Sequence, residues 1–111
     1  MTSSLHRDIV LKSFERRRDM QSFHSESIDR LFKVIGSLKG QDEFYSFFED
    51  LCTIRELSDM AQRLDTAILL DEGKNYQTIQ TQVGVSPATI SRVSRCLQYG
   101  DGYKKALAAL K

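Results

Sequence analysis

The sequence predicts an all-α protein, and three observations lead to that fold class. The chain of 111 residues contains one proline and six glycines, fewer breaks than a β fold with many turns would need. Apolar residues recur at helical spacing along most of residues 25–111, where no strand pattern is evident. Residues that start and end helices separate these apolar stretches. We therefore expect one helical domain over residues 25–111.

Residues 1–24 form an N-terminal extension or tail that the sequence does not assign further. They contain the basic run Arg16-Arg17-Arg18, followed by a linker-like stretch. Met20 is an alternative start of translation, which would make the preceding residues an upstream extension. A solvated tail and a basic arm on DNA phosphates are the other two interpretations.

The first two predicted helices carry more apolar surface than one neighbour would cover. The first runs from Ile28 to Leu38, with Ser25 as N-cap and Gly40 as its stop. The second, "DEFYSFFEDL", is short and rich in aromatic residues. Core packing within one chain would cover it, and so would a dimer interface, which we favour because the chain has little else to bury it with. The expected dimer core consists of Phe44, Phe47, Phe48 and Leu51.

A long third helix and a short fourth helix follow. Thr53 and Glu56 have the spacing of a capping box at the start of the long helix, and Gly73 closes it as a left-handed cap. The short helix, "YQTIQTQV", begins after Asn75. We assign residues 25–72 to dimerisation.

The stretch "GVSPATISRVSR" starts the fifth helix. Gly84 breaks the chain, Ser86 is an N-cap, and Pro87 occupies the first helical position, where its missing N–H costs nothing. "YGDGY" is a turn, and residues 101–111 hold a final helix rich in alanine.

Residues 76–95 have the pattern of a helix-turn-helix, within a head that we assign to residues 75–97. Apolar positions on both sides of Gly84 would lock the two helices together. The N-terminal end of the second helix would then enter the major groove of double-stranded DNA, where small side chains permit close approach. Hydroxyls would meet base edges, and arginines would hold phosphates or guanine. The predicted DNA-binding residues are Thr78, Ser86, Pro87, Ala88, Thr89, Ser91, Arg92 and Arg95.

The net charge of +1 conceals an uneven distribution. Residues 25–73 carry a balance of −6, whereas residues 74–111 carry +5. A basic half that includes the predicted head suits a polyanionic partner.

Other function classes find little support. The histidines, His6 and His24, lie in the N-terminal stretch, and no nucleophile–base pair or phosphate loop is visible. Cys52 and Cys96 are far apart, and no metal-binding spacing or membrane-spanning run occurs. We expect no enzyme activity, metal or cofactor, and a cytoplasmic, nucleoid-associated location. A protein-interaction module and an architectural DNA binder of low specificity remain alternatives.

The motifs "AQRL", "GVSPATISRVSRCL" and "YG" resemble the Trp operon repressor superfamily, and within it the YerC/YecD group of Trp-repressor-like proteins. The resemblance covers roughly residues 25–111. It implies an intertwined all-helical homodimer that reads a near-palindromic operator, with half-sites about 34 Å apart. The function it implies is a transcriptional regulator, most simply a repressor.

The resemblance also locates a possible effector pocket. In Trp repressor, two arginines hold tryptophan between the long helix and the reading helix, and Arg63 and Arg92 match them. Val93 stands where the family has glycine, and Cys96 where it has a ligand-contacting serine. Ordinary core packing also accounts for Val93 and Cys96. Valine in place of glycine and cysteine in place of serine both oppose tryptophan binding. Binding of a different small-molecule effector is left open.

Overall fold

The computed structural model of the chain describes residues 24–111, and within that range every regular element is an α-helix. The predictions for the Arg16–Arg18 run and for Met20 fall outside the described residues. Within residues 24–111, no helix combines the length and apolar character that crossing a membrane requires. The helices are α1 (Glu26–Gly36), α2 (Gly40–Leu51), α3 (Ile54–Asp71), α4 (Tyr76–Val83), α5 (Pro87–Tyr99) and α6 (Gly102–Ala108).

Helix α1 begins as predicted but ends earlier. The Ile28 N–H donates to Ser25 Oγ at 3.1 Å, so Ser25 is the N-cap. The prediction that Gly40 stops this helix is wrong. The last turn tightens at Ser37, whose N–H and hydroxyl both donate to the Val34 carbonyl, at 3.0 and 2.7 Å. Gly40 is instead the first residue of α2, with φ of +80°.

Helix α2 displays a row of aromatic rings. The rings of Phe44 and Phe48 stack with centroids 6.4 Å apart, and Phe47 meets Phe48 edge to face at 5.6 Å. The backbone N–H of Lys39 donates to the Glu43 carboxylate at 2.8 Å, which satisfies one free donor at the start of the helix.

The chain divides into two compact units between Thr53 and Ile54. In the described part of the first unit, residues 24–53, no side chain is fully buried. Every buried residue of the described range belongs to the second unit, residues 54–111. Helix α3, which the sequence analysis groups with the dimerisation helices, therefore packs within the same unit as α4, α5 and α6.

Helix α3 begins at Ile54, directly after the predicted cap at Thr53, and ends at Asp71, two residues before the predicted closing glycine. Gly73 has φ of +85°, and its N–H donates to the Leu70 carbonyl at 2.9 Å while the Lys74 N–H donates to the Leu69 carbonyl at 3.0 Å. This pair of bonds is a Schellman motif, which needs a left-handed residue.

The core of the second unit lies where α3, α5 and α6 meet. Ala67, Val93 and Leu107 form a buried cluster, one residue from each helix. Helix α3 packs against α4, α5 and α6, and α5 also packs against α4 and α6. Lys111 Nζ lies 3.0 Å from Asp71 Oδ2, so an ion pair links the C-terminal residue to the end of α3.

Candidate nucleic-acid interface

The turn between α4 and α5 has the geometry that the sequence predicts. Gly84 takes the left-handed conformation, with φ of +86° and ψ of +24°, and its N–H donates to the Gln80 carbonyl at 2.9 Å. A residue with a Cβ adopts this backbone only at a cost, because the Cβ crowds the following carbonyl oxygen. Glycine therefore sets the direction in which the chain leaves α4.

Ser86 caps the start of α5 through two hydrogen bonds. Its Oγ accepts from the Thr89 N–H at 3.2 Å and donates to Thr89 Oγ1, also at 3.2 Å. Pro87 follows at the first turn, as predicted. Because the Thr89 hydroxyl accepts from Ser86, its own proton remains for a bond to another acceptor.

Buried apolar residues hold one side of α4 and α5 against the core. Ile79 and Ile90 are 0% exposed, and Val93 is 1% exposed. With this side fixed, the other side of α5 faces outward. Thr89 is half-buried, and the outward-facing residues are Ser86, Pro87, Ala88, Ser91, Arg92 and Arg95.

The exposed side of α5 is positively charged. Arg92 and Arg95 lie one turn apart, and neither takes part in the ion pairs found among residues 24–111. The sequence has no acidic residue from position 73 to position 100. Both guanidinium groups can therefore meet an anion without competition from a nearby carboxylate on this stretch.

Thr78 lies apart from the other predicted contact residues, on α4. Its N–H donates to Asn75 Oδ1 at 2.8 Å, which makes Asn75 the N-cap of α4. A shallow, uncharged depression surrounds it, lined by Asn75, Gln77, Thr78, Thr81 and Gln82. The depression offers hydroxyl and amide groups, which suit hydrogen bonds to a phosphate backbone.

The four residues of the possible effector pocket occur in the same unit, but they differ in exposure. Val93 is buried in the core cluster, Cys96 is half-buried and belongs to no disulfide among the described residues, and Arg63 and Arg92 are exposed. The burial of Val93 agrees with ordinary core packing at this position.

Sequence reasoning missed a further residue at this place, Tyr103. The sequence places Tyr103 at the end of the "YGDGY" turn and within the predicted final helix, without a functional role; in the structure it lies in the first turn of α6 and packs against the core cluster. Burial raises the pKa of the Tyr103 phenol, Cys96 adds to the rise, and the positive charges of Arg63 and Arg92 oppose it. An aromatic residue just after a glycine-containing turn was the available signal.

The predicted dimer residues share the aromatic side of α2. Phe44 and Leu51 are exposed, while Phe47 and Phe48 are half-buried. Other large apolar side chains of this unit are more open still, with Tyr45 at 65% and Phe32 at 60% exposure. Large apolar side chains that lie open to water together on one unit favour an interaction surface there.

Within residues 24–111 all regular elements are helices, and α4 and α5 flank a left-handed glycine turn, as the predicted helix-turn-helix requires. The family described as Trp repressor protein matches residues 26–111, and the chain belongs to that family. The family resemblance and the all-α, Trp-repressor-like fold predicted from the sequence are thereby confirmed.

Three relatives agree with this membership. YerC of Bacillus subtilis strain 168, an uncharacterized protein, is 50% identical over 93 residues, which cover 83% of this chain and 89% of YerC. The crystal structure of a candidate Trp repressor from Staphylococcus aureus matches with a TM-score of 0.76 and 40% identity, over 82% of this chain and 92% of that one. A TrpR-like protein from Eubacterium eligens matches with a TM-score of 0.76 and 44% identity, over 81% and 94%.

Proposed function

We propose that the protein is a sequence-specific DNA-binding regulator of transcription, which acts as a homodimer and represses by occluding a promoter. Membership of the Trp repressor family suggests a DNA-binding regulator. The observation that carries the proposal is the division of α5 into a buried side and an exposed, basic side with small residues at its start. Such a helix fits the major groove, with few bulky side chains to keep it out.

The residues of the head divide into two roles. Thr89 and Ser91 present hydroxyls near the start of α5, and we assign them to base edges. Arg92 and Arg95 follow along the same helix and hold phosphates or a guanine edge. Thr78, with the polar depression around it on α4, contacts the backbone of the same half-site.

The homodimer rests on the open aromatic surface of the first unit. Phe44, Phe47, Phe48 and Leu51 lie on α2, where no side chain is fully buried. Burying such rings is worth about 1.5–3 kcal/mol each relative to leaving them in water. A second copy of the chain would supply that burial and would place two heads for a near-palindromic operator.

Tryptophan is not part of this proposal. Val93 fills core space between Ala67 and Leu107, and a branched side chain there leaves less room for an indole than glycine would. Cys96 is a weaker hydrogen-bonding partner than serine. On this proposal the protein acts without tryptophan. As a regulator that binds DNA, it would work in the cytoplasm, at the nucleoid.

The test is selection from a random duplex library by the purified protein at ~150 mM salt, where long-range charge effects are screened. We expect enrichment of a two-fold symmetric site without added ligand. Affinity for that site should fall steeply as salt rises, because phosphate contacts release counterions. No enrichment, even with cell extract added, would refute a DNA-reading function. Binding that does not respond to salt would indicate an apolar protein contact instead.

Thr89→Ala tests the base-reading role. The Thr89 N–H bond to Ser86 survives this change because it belongs to the backbone, so the cap of α5 loses only the bond from Ser86 Oγ to Thr89 Oγ1. We expect a loss of about 1–3 kcal/mol on the selected site and little change on random duplex, measured by fluorescence anisotropy. Ser58→Ala on α3, at an exposed position, is the control. Equal losses on both duplexes would contradict base reading by Thr89.

A further inference from the structure

Tyr103 lies where the reading helix α5 meets α3 and α6. It belongs to α6, and its side chain packs against the cluster formed by Ala67 of α3, Val93 of α5 and Leu107 of α6. Val93 lies on the buried side of α5 and directly follows Arg92 in the sequence. The ring of Tyr103 is therefore placed where a change in packing would alter the position of α5 relative to α3.

The polar end of Tyr103 has charged neighbours from both helices. Arg63 of α3 and Arg92 of α5 are close enough for their charges to act on the phenol, and Cys96 of α5 acts in the opposite sense. Burial is the largest of these effects and raises the pKa of the phenol, which is neutral at physiological pH even at its ordinary value of 10.0. A neutral phenol keeps its hydroxyl proton and its two lone pairs for neighbouring groups.

We propose that Tyr103 is a positioning residue for DNA reading, which fills space beside the core cluster where α3, α5 and α6 meet and so holds α5 in its reading orientation. This inference rests on the proposed function of α5. It also implies that this space is closed to aromatic small molecules in the wild-type protein.

The experiment compares wild type, Tyr103→Ala, Tyr103→Phe and the control Leu110→Ala, which removes an exposed apolar side chain just after the same helix. Binding is measured on the selected duplex and on random duplex, and helicity is followed by circular dichroism. We expect Tyr103→Ala to lose about tenfold or more on the selected duplex, since a void beside Val93 frees α5 to move. Tyr103→Phe should stay within about twofold, because the ring remains.

Chemical rescue separates a positioning role from general loss of structure. The probe is p-cresol, which has the shape of the missing side chain and can enter an apolar void. It should restore the preference of Tyr103→Ala for the selected duplex and leave wild type unchanged. A loss without recovery would overturn the proposal, and so would a folded Tyr103→Ala protein that binds as wild type does.

Three further outcomes are distinguishable. If Tyr103→Ala fails to fold, Tyr103→Leu keeps apolar volume without the planar ring, and a folded Leu variant with wild-type preference would overturn the inference. If wild type selects no duplex, the proposed function itself fails. If wild type selects a site and the Tyr103 variants retain it, only the role of Tyr103 fails.

Discussion

The two units of the chain have similar apolar patterns, but they differ in how far they bury them. Residues 24–53 form two helices with apolar residues at helical spacing, yet none of their side chains is fully buried. Residues 54–111 form four helices around Ala67, Val93 and Leu107, with Ile79 and Ile90 also buried. Periodicity alone therefore does not tell whether a helix completes its core within one chain.

This difference indicates where each unit obtains its stability. The second unit buries enough apolar surface among its own helices to order α4 and α5. The first unit leaves Phe32, Tyr45 and Leu51 open to water, so its helices gain little from packing within the described chain. On the proposed dimer, the first unit gains its stability from the partner and the second unit from itself.

Phe48→Asp should have the largest effect, because it places a carboxylate within the proposed dimer interface. Phe48 contacts the rings of both Phe44 and Phe47. A buried carboxylate in place of a ring should cost more than about 3 kcal/mol and split the dimer, with unfolding of much of the chain. Analytical ultracentrifugation and circular dichroism measure both effects. Ser46→Asp puts the same charge on the opposite side of α2 as a control, and a stable folded Phe48→Asp monomer would disprove the intertwined dimer.

Ile79→Ala and Ile54→Ala make the same change at 0% and 85% exposure. At Ile79 we expect a loss of about 2–5 kcal/mol in the free energy of unfolding, since the deletion leaves a cavity beneath α4. At Ile54 the loss should stay within about 0.5 kcal/mol. Urea denaturation at fixed protein concentration measures both. A large loss of stability at Ile54 would contradict its assignment as an exposed residue of a unit that completes its own core, and would indicate that a second copy covers it.

The smallest expected effect concerns alkaline pH. The pKa of Tyr103 lies above its ordinary value of 10.0, mainly because of burial, with Cys96 adding to the rise and Arg63 and Arg92 opposing it. The folded state thus favours the neutral phenol. Its contribution to stability is fully present below pH 10.0 and is lost as pH rises through the folded-state pKa. The midpoint temperature of thermal unfolding should therefore fall more steeply between about pH 8 and about pH 11 for wild type than for Tyr103→Phe. Parallel curves would contradict this assignment.

The sequence predicted the local structure of the head closely. Asn75, Ser86 and Pro87 lie at the helix starts where capping rules place them, and Gly73 and Gly84 lie at the left-handed ends. Each of these signals depends on one residue and its nearest neighbours along the chain. The prediction that α1 ends at Gly40 was wrong. The Ser37 hydroxyl, three residues earlier, already donates to a carbonyl of the last turn of α1.

What the sequence by itself determined is the fold class, most helix boundaries, the family and which side of α5 is polar. Those properties follow from local capping chemistry and from periodicity, which are written along the chain. Only the tertiary structure decided that α3 packs with the head and that Tyr103 packs against the cluster to which Ala67 and Val93 belong, near Arg63 and Arg92. These contacts join residues from 10 to 40 positions apart in the sequence, and close packing among several helices selects them rather than any local preference.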